Sequence, residues 1–180
     1  MGLDMYLSKK TYVQNWEHQT PEFRHTITVK RGGKKRTDIK PERISEITEQ
    51  LCQWRKFNAL HNWFVQNCAD GVDDCKEVYV DRKSLEELLV VLQKVKSVLD
   101  KSKKKKVPIH TGWANGKETY EEGEVYDCDK VEELLPTASG FFFGGTEYDE
   151  WYYNDVSRTI ELFDELLKEE GGDFYYQASW

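Results

Sequence analysis

The pattern of apolar residues predicts an α+β fold, with residues 1–180 forming a single domain. A mainly antiparallel sheet carries three or more helices packed on one face. Three observations lead to this reading. The chain opens and closes on runs of period two, Leu3–Leu7 and Asp173–Trp180. Stripes of apolar residues at spacings of three and four lie between them. Aromatic residues make up 13% of the chain and charged residues 33%, a composition for a packed core under a wide polar surface.

The elements follow in order. Leu3, Met5 and Leu7 share one face of the first strand, Asp4 and Tyr6 the other. Residues 8–20 read as irregular. Alternation from Phe23 to Lys30, the Gly32-Gly33 pair and Lys34-Lys35-Arg36 predict an exposed basic hairpin over about 23–39. Pro41 suits a first helical turn. Ile44, Ile47, Leu51, Trp54, Asn58, His61 and Val65 then mark one face of a long helix, about 41–67. Asp70–Asp74 is a turn and 76–80 a short strand. Leu85, Leu88, Leu92, Val95 and Leu99 predict a helix over 82–100, with Ser84 and Glu87 as a capping box and Asp81 as the competing N-cap. Residues 101–133, with Pro108, Gly112, Gly116 and Gly123, read as a long loop or small hairpin. Trp151, Tyr152, Val156, Thr159, Ile160, Phe163 and Leu166 form the inner stripe of a helix over 147–170, capped by Thr146 and stopped by Gly171-Gly172. The first and last strands are expected to be neighbours, with Trp180 holding a structural role.

Composition narrows the function classes. The net charge of −7 disfavours duplex nucleic acid as a partner. No apolar run reaches the length of a membrane span. Asp4, Lys9 and Lys10 interrupt any signal-peptide core, and Tyr6 breaks a myristoylation signal after Gly2. Cys52, Cys68, Cys75 and Cys128 form no CxxC pair and read as reduced thiols. These readings place the protein in a cytoplasm.

Several segments are distinctive as a set: MGLDMYL at residues 1–7, WRKFNALHNWFV at 54–65, DGVDDC at 70–75, LPTASGFFFG at 135–144, YDEWY at 148–152 and FYYQASW at 174–180. Together they resemble a family of small uncharacterised proteins of tailed bacteriophages and prophages. The resemblance covers about half of the chain. It implies a phage accessory protein in the host bacterial cytoplasm, and it implies no catalytic role for any residue.

Four places are candidate sites. On the predicted helix, Trp54, Arg55, Asn58, His61 and Trp63 would form a polar pocket. Asn58 and His61 would hydrogen-bond a ligand, Arg55 would hold an anion, and Trp54 or Trp63 would stack on a ring. The competing reading is an amphipathic helix whose polar groups are satisfied internally. Asp70, Asp73 and Asp74 offer hard oxygen ligands, but their spacing is not that of an EF-hand, and turn or cap roles compete. Phe141–Phe143, Tyr148, Trp151, Tyr152 and Tyr153 form an aromatic block whose tyrosines and tryptophans exceed what a core readily hides; Tyr148 and Tyr152 are its ligand candidates. Asp4 and Tyr6 share a strand face that Tyr175, Gln177 and Ser179 would extend into a polar floor. The lysine run 101–106 is read as a solvated helix end, with an anion-binding patch as the alternative.

No nucleophilic elbow, metal-binding histidine spacing or phosphate-loop lysine is present in the sequence, so no catalytic residue, metal site or cofactor is assigned. The leading expectation is non-catalytic binding of a small nucleotide-like ligand, with sequestration of a host defence signal as the purpose. The alternative is an inhibitor or adaptor of a host protein, and the third a nucleotide-processing enzyme. A homodimer seam is another use for exposed aromatics.

Overall fold

A computed structural model of the chain describes every residue except Met1, Asn115 and Phe141. The fold is α+β. Strand β1 (Asp4–Tyr12) leads into an excursion over residues 14–44. That excursion carries the two-residue strands β2 (Lys30–Arg31) and β3 (Lys34–Lys35). Strand β4 (Glu46–Arg55) returns, followed by α1 (Asn58–Cys68), β5 (Val78–Val80) and α2 (Arg82–Leu99). A ribbon of β6 (Lys104–Ala114) and β7 (Lys117–Tyr126) comes next, then α3 (Asp129–Leu134), α4 (Glu150–Leu166) and β8 (Asp173–Ser179). The main sheet has the order β4-β1-β8-β5, and every pairing in it is antiparallel. The first and last strands are therefore hydrogen-bonded neighbours at the centre of the sheet.

One face of that sheet is the core. Leu3, Met5 and Leu7 join Cys52, Trp54, Val80, Phe174, Tyr176 and Ala178, all buried. The leucine stripe of α2 and the Val156, Phe163 and Leu166 stripe of α4 pack onto the same cluster, as do Leu60 and Phe64 of α1. Burial of these side chains is the main favourable term, about 1.5–3 kcal/mol for each large apolar group. The opposite face carries no helix. It presents Asp4 directly across from Ser179 and Arg55, and Tyr6 across from Gln177 and Gln53. The polar floor expected from Asp4 and Tyr6 is thus continuous over three strands.

The long helix predicted over 41–67 is the largest departure. Residues 41–43 form one 3₁₀ turn, 46–55 form a strand, and only 58–68 is helical. Pairing with β1 along its whole length decides the matter, since tertiary pairing overrides a weak helical spacing. Trp54 and Cys52 point inward and Gln53 and Arg55 outward, as strand parity requires. Lys56, at φ 62°, makes the left-handed kink between strand and helix.

Residues 8–12 extend β1 instead of being irregular. The inward position there is Lys9, so no apolar alternation marks the strand. Lys9 is buried, and its Nζ reaches Glu169 at 2.8 Å. The hairpin expected over 23–39 shrinks to the ladder at 30–35, since 24–29 has no partner strand. Of the long loop or small hairpin expected over 101–133, the hairpin forms, with ten pairs, and α3 follows it. Both of its faces are largely solvated, so the sequence there had no apolar alternation to show. A Cβ at Gly123 would lie 2.3 Å from Ile109 Cδ1, so a larger residue there would have to displace that side chain.

The helix caps also differ. Asp81 caps α2 by accepting from Ser84 N, so Ser84 is not the cap. Asp149 caps α4 by accepting from Tyr152 N at 3.0 Å, which displaces Thr146 and starts the helix at 150. Trp151, about 100° round the helix from buried Tyr152, lies off the inner stripe and is exposed. Arg82 donates to the carbonyls of Leu167 and Glu169, satisfying the far end of α4. Trp180 Nε1 donates to Asp73 Oδ1 at 3.1 Å, which ties the last residue to the 70–75 turn.

Helix α4 docks on β4 through one buried polar contact. Trp54 Nε1 donates to Thr159 Oγ1 at 2.9 Å, and that hydroxyl donates to Asp155 O at 2.6 Å. Thr159→Val keeps the shape but strands the indole N–H in the core. A buried unsatisfied donor costs about 1–3 kcal/mol, which lowers Tm by about 3–10 °C in a chain of this size. Calorimetric melting of the variant beside the parent checks this, and an unchanged Tm contradicts it.

Candidate functional site

The turn Arg55–Asn58 meets the first turns of α4 and the loop 137–147 around a cleft of about 540 Å³. The sequence builds it in three steps. The kink at Lys56 aims Arg55 and Lys56 away from the sheet and starts α1. Lys56 N donates to Leu3 O at 2.8 Å, and Leu3 N donates to Phe142 O at 3.0 Å, so strand, turn and loop are stitched together. Asn58 then fixes the loop. Its Nδ2 donates to Phe143 O at 3.1 Å and Gly145 O at 2.7 Å, and its Oδ1 accepts from Ala138 N at 3.0 Å.

Three cations, Arg55, Lys56 and Arg158, line the cleft. Arg158 is anchored by Nη2, which donates to Gln53 O at 3.2 Å. Arg55 stands 4.0 Å from Asp4, linking the polar sheet face to the cleft rim. Helix α1 begins here at Phe57 and Asn58 with no side-chain cap, so the positive end of its dipole faces the same space. Trp151, 79% exposed, supplies an open ring at the rim. Three carboxylates balance the cations. Asp149 is engaged as the α4 cap, Glu147 lies beside Gly145, and Asp155 is half-buried with no ion pair among the described residues. Burial pushes the Asp155 carboxyl up to about 6; Arg158 opposes the rise and Asp149 adds to it.

That shift fixes a pH dependence. The folded pKa of about 6 lies above the unfolded value, so the native state holds the extra proton between about pH 4 and pH 6. Stability falls as pH rises through that window, and the full penalty persists above it. Asp155→Asn removes the penalty, with an expected gain of about 1–2 kcal/mol at pH 7.5 after allowance for solvent screening, and no gain below about pH 4. Denaturant unfolding at the two pH values measures it; an equal gain at both would contradict this assignment.

Of the nine residues expected to bind a ligand, Arg55, Asn58 and Tyr152 line this cleft. The others are elsewhere, for identifiable reasons. Trp54 is 1% exposed because β4 turns it into the core. His61, 2% exposed, is spent internally. Its Nδ1 lies 2.8 Å from Tyr176 OH and its Nε2 3.0 Å from Asp73 Oδ2, with Phe143 edge-on to the ring. Trp63 packs edge-on against Phe64 on another side of α1. Tyr148 is held in the loop, its hydroxyl 3.4 Å from Thr137 N and its carbonyl accepting from Tyr126 N at 2.8 Å. Asp4 and Tyr6 belong to the open sheet face. Tyr152 lines the cleft but is mostly core, donating from its hydroxyl to Leu135 O at 2.9 Å. Asn58 is likewise structural, since each of its polar atoms has an internal partner.

The remaining candidates resolve similarly. Asp73 serves His61 and Trp180, and Asp74 accepts from Lys76 N, so the acidic turn is committed to the fold. Among the described residues, no group of three His, Cys, Asp or Glu is placed to hold a metal ion. Phe141 of the aromatic block lies outside the described residues. Lys104, Lys105 and Lys106 pair with Glu150, Asp127 and Glu122. No helix among the described residues is long and apolar enough to cross a membrane.

The sequence reading sets Trp151 in the aromatic block and on the inner stripe without making it a ligand residue, and it singles out none of Lys56, Asp155 and Arg158. Trp151, Asp155 and Arg158 lie at i, i+4 and i+7, one stripe of α4 beside its buried stripe. That stripe is mostly polar, so no apolar period marks it in the sequence. A second hollow of about 500 Å³ shares Lys56, Gly145 and Glu147 with the cleft and runs on to His110–Gly112 of the ribbon. No protein-family model, curated protein or solved structure matches the chain.

Proposed function

We propose that the cleft binds a small nucleotide-like molecule, an anion joined to a flat ring, and holds it without transforming it. The observation that carries this reading is the conjunction of Arg55, Lys56 and Arg158 with the exposed indole of Trp151 around one cleft. Cations and a helix N-terminus suit phosphate. The open indole suits a base, and ring stacking of this kind contributes about 1–3 kcal/mol. Glu147 suits the exocyclic N–H donors of a base, which gives an acid a role in a site for an anion. On this reading the chain acts as a phage accessory protein in the host cytoplasm, where retention of a nucleotide signal would be its purpose. The resemblance noted in the sequence supports that setting.

The test is a thermal-shift panel of nucleoside mono-, di- and triphosphates and cyclic nucleotides. A ligand of the native state raises Tm with concentration, by mass action. We expect at least one nucleotide to do so, and the matching nucleoside to do so far less. A second reading, docking of a host protein on the same rim, draws on the 79% exposure of Trp151, a residue type typical of interface anchors. It predicts no nucleotide response.

A further inference from the structure

We infer that the excursion between β1 and β4 is a docking arm for single-stranded nucleic acid, independent of the cleft. Its cations take the phosphates, and Trp16 and Phe23 stack on bases.

The chain segregates charge strongly. Residues 14–44 hold eight Lys and Arg against four carboxylates, a net +4. The remaining 149 residues hold 18 against 29, a net −11. The overall value of −7 conceals this division. At the tip, the ladder sets Lys30 opposite Lys35 and Arg31 opposite Lys34. Like charges directly across a ladder disfavour it. No carboxylate forms an ion pair with any of these four among the described residues; the nearby Asp38 is taken by Arg36. The contrast with the other basic run is informative. Lys104, Lys105 and Lys106 each have an acidic partner within the fold. Among the described residues, no ion pair neutralises the concentrated charge of the tip, and Gly32 and Gly33, at φ 55° and 79°, hold it in a tight turn.

The aromatic groups of the arm lie on a separate loop. Asn15 and His25 close residues 16–24 into a loop with two hydrogen bonds of 2.8 Å, Asn15 Nδ2 to His25 O and His25 N to Asn15 Oδ1. Trp16 is 50% exposed and Phe23 69% exposed on that loop. His25 to Lys30 spans at most about 17 Å of extended chain, so rings and cations are within reach of one short strand. Cations beside open ring faces are the combination that binds single strands without reading sequence. The acidic body repels the same polyanion, which confines contact to the arm.

The test uses the full chain and a fluorescein-labelled oligo-dT of about 30 nucleotides, read by anisotropy. With four phosphates neutralised, affinity falls about 50-fold between about 50 and about 200 mM salt. A variant with Lys30, Arg31, Lys34 and Lys35 all changed to Ala loses at least tenfold at low salt and flattens the salt slope. Trp16→Ala with Phe23→Ala loses at least fivefold and keeps the slope. All six side chains are exposed, so both variants keep the parent Tm, which is measured alongside. No binding by the parent at low salt overturns the inference, as does a tip variant that binds like the parent. Equal or tighter binding of a duplex of the same length overturns the single-strand assignment. Binding to phosphatidylserine vesicles, or to poly-glutamate, without binding to oligo-dT does so in favour of a membrane or an acidic protein.

Discussion

Asn58→Asp is expected to unseat the loop 137–147 and to destabilise the protein more than any other single change considered. The wild-type amide donates twice, to the carbonyls of Phe143 and Gly145, and accepts once, from Ala138 N. A carboxylate at the same place cannot donate. It would set a buried negative charge against two carbonyl oxygens, on a side chain whose residue is only 2% exposed. Each stranded buried polar group costs about 1–3 kcal/mol, more when charged. The N-terminal dipole of α1 offsets part of this, by up to about 1 kcal/mol. The net expectation is a loss of about 3 kcal/mol, or about 6–12 °C in Tm. The loop forms one wall of the cleft, so ligand binding should weaken with it. Asn58→Ala removes the same donors without the charge and should cost less. If Asn58→Asp melts with the parent, the amide is not what holds the loop.

Trp151→Ala and Arg158→Ala are expected to weaken nucleotide binding without comparable loss of stability. Trp151 is almost wholly exposed, so its removal takes little from the core. Loss of a stacking face worth about 1–3 kcal/mol corresponds to about 5- to 150-fold in Kd. Arg158 holds its position through Gln53 O and lies beside Asp155 on the same helix. Its loss removes one charge-assisted contact, worth about 1.5–3 kcal/mol, and leaves Asp155 without a cation beside it. The two effects should differ in pH dependence. In the parent, protonation of Asp155 on lowering the pH toward 6 reduces the negative charge near the anion, so binding should tighten. Asp155→Asn should flatten that profile. Titration calorimetry at two pH values separates these cases, and equal Kd values for parent and Trp151→Ala would remove the indole from the site.

Where the sequence was legible, one physical signal dominated. Leu3, Met5 and Leu7 alternate against a core, and β8 alternates likewise, so the central pair of strands was visible. The leucines of α2 recur at helical spacing over about four turns, which no strand tolerates. The illegible regions lacked such a signal. Glu46–Arg55 is an edge strand with an exposed first half, and its isolated apolar residues happened to fall at helical intervals. Its identity was set by β1, a partner more than 30 residues away. The β6–β7 ribbon has no fully buried face, so neither period appears in its sequence.

The site was half-legible for the same reason. Arg55 and Asn58 were found because they sit where strand turns into helix. His61 was misplaced, because a sequence cannot show that Asp73 and Tyr176 satisfy both ring nitrogens. Trp151 was placed one position, about 100°, off its true face, and Asp155 and Arg158 share that face, where no apolar period draws attention.

A nucleotide-like molecule held in the cleft should survive purification. The full chain is purified, denatured and any small molecule released is identified by mass spectrometry, with Arg158→Ala purified in parallel. Release of a phosphorylated nucleoside from the parent, and of much less from the variant, is expected. A parent that releases nothing, and whose Tm is indifferent to every nucleotide offered, would rule out a nucleotide in the cleft.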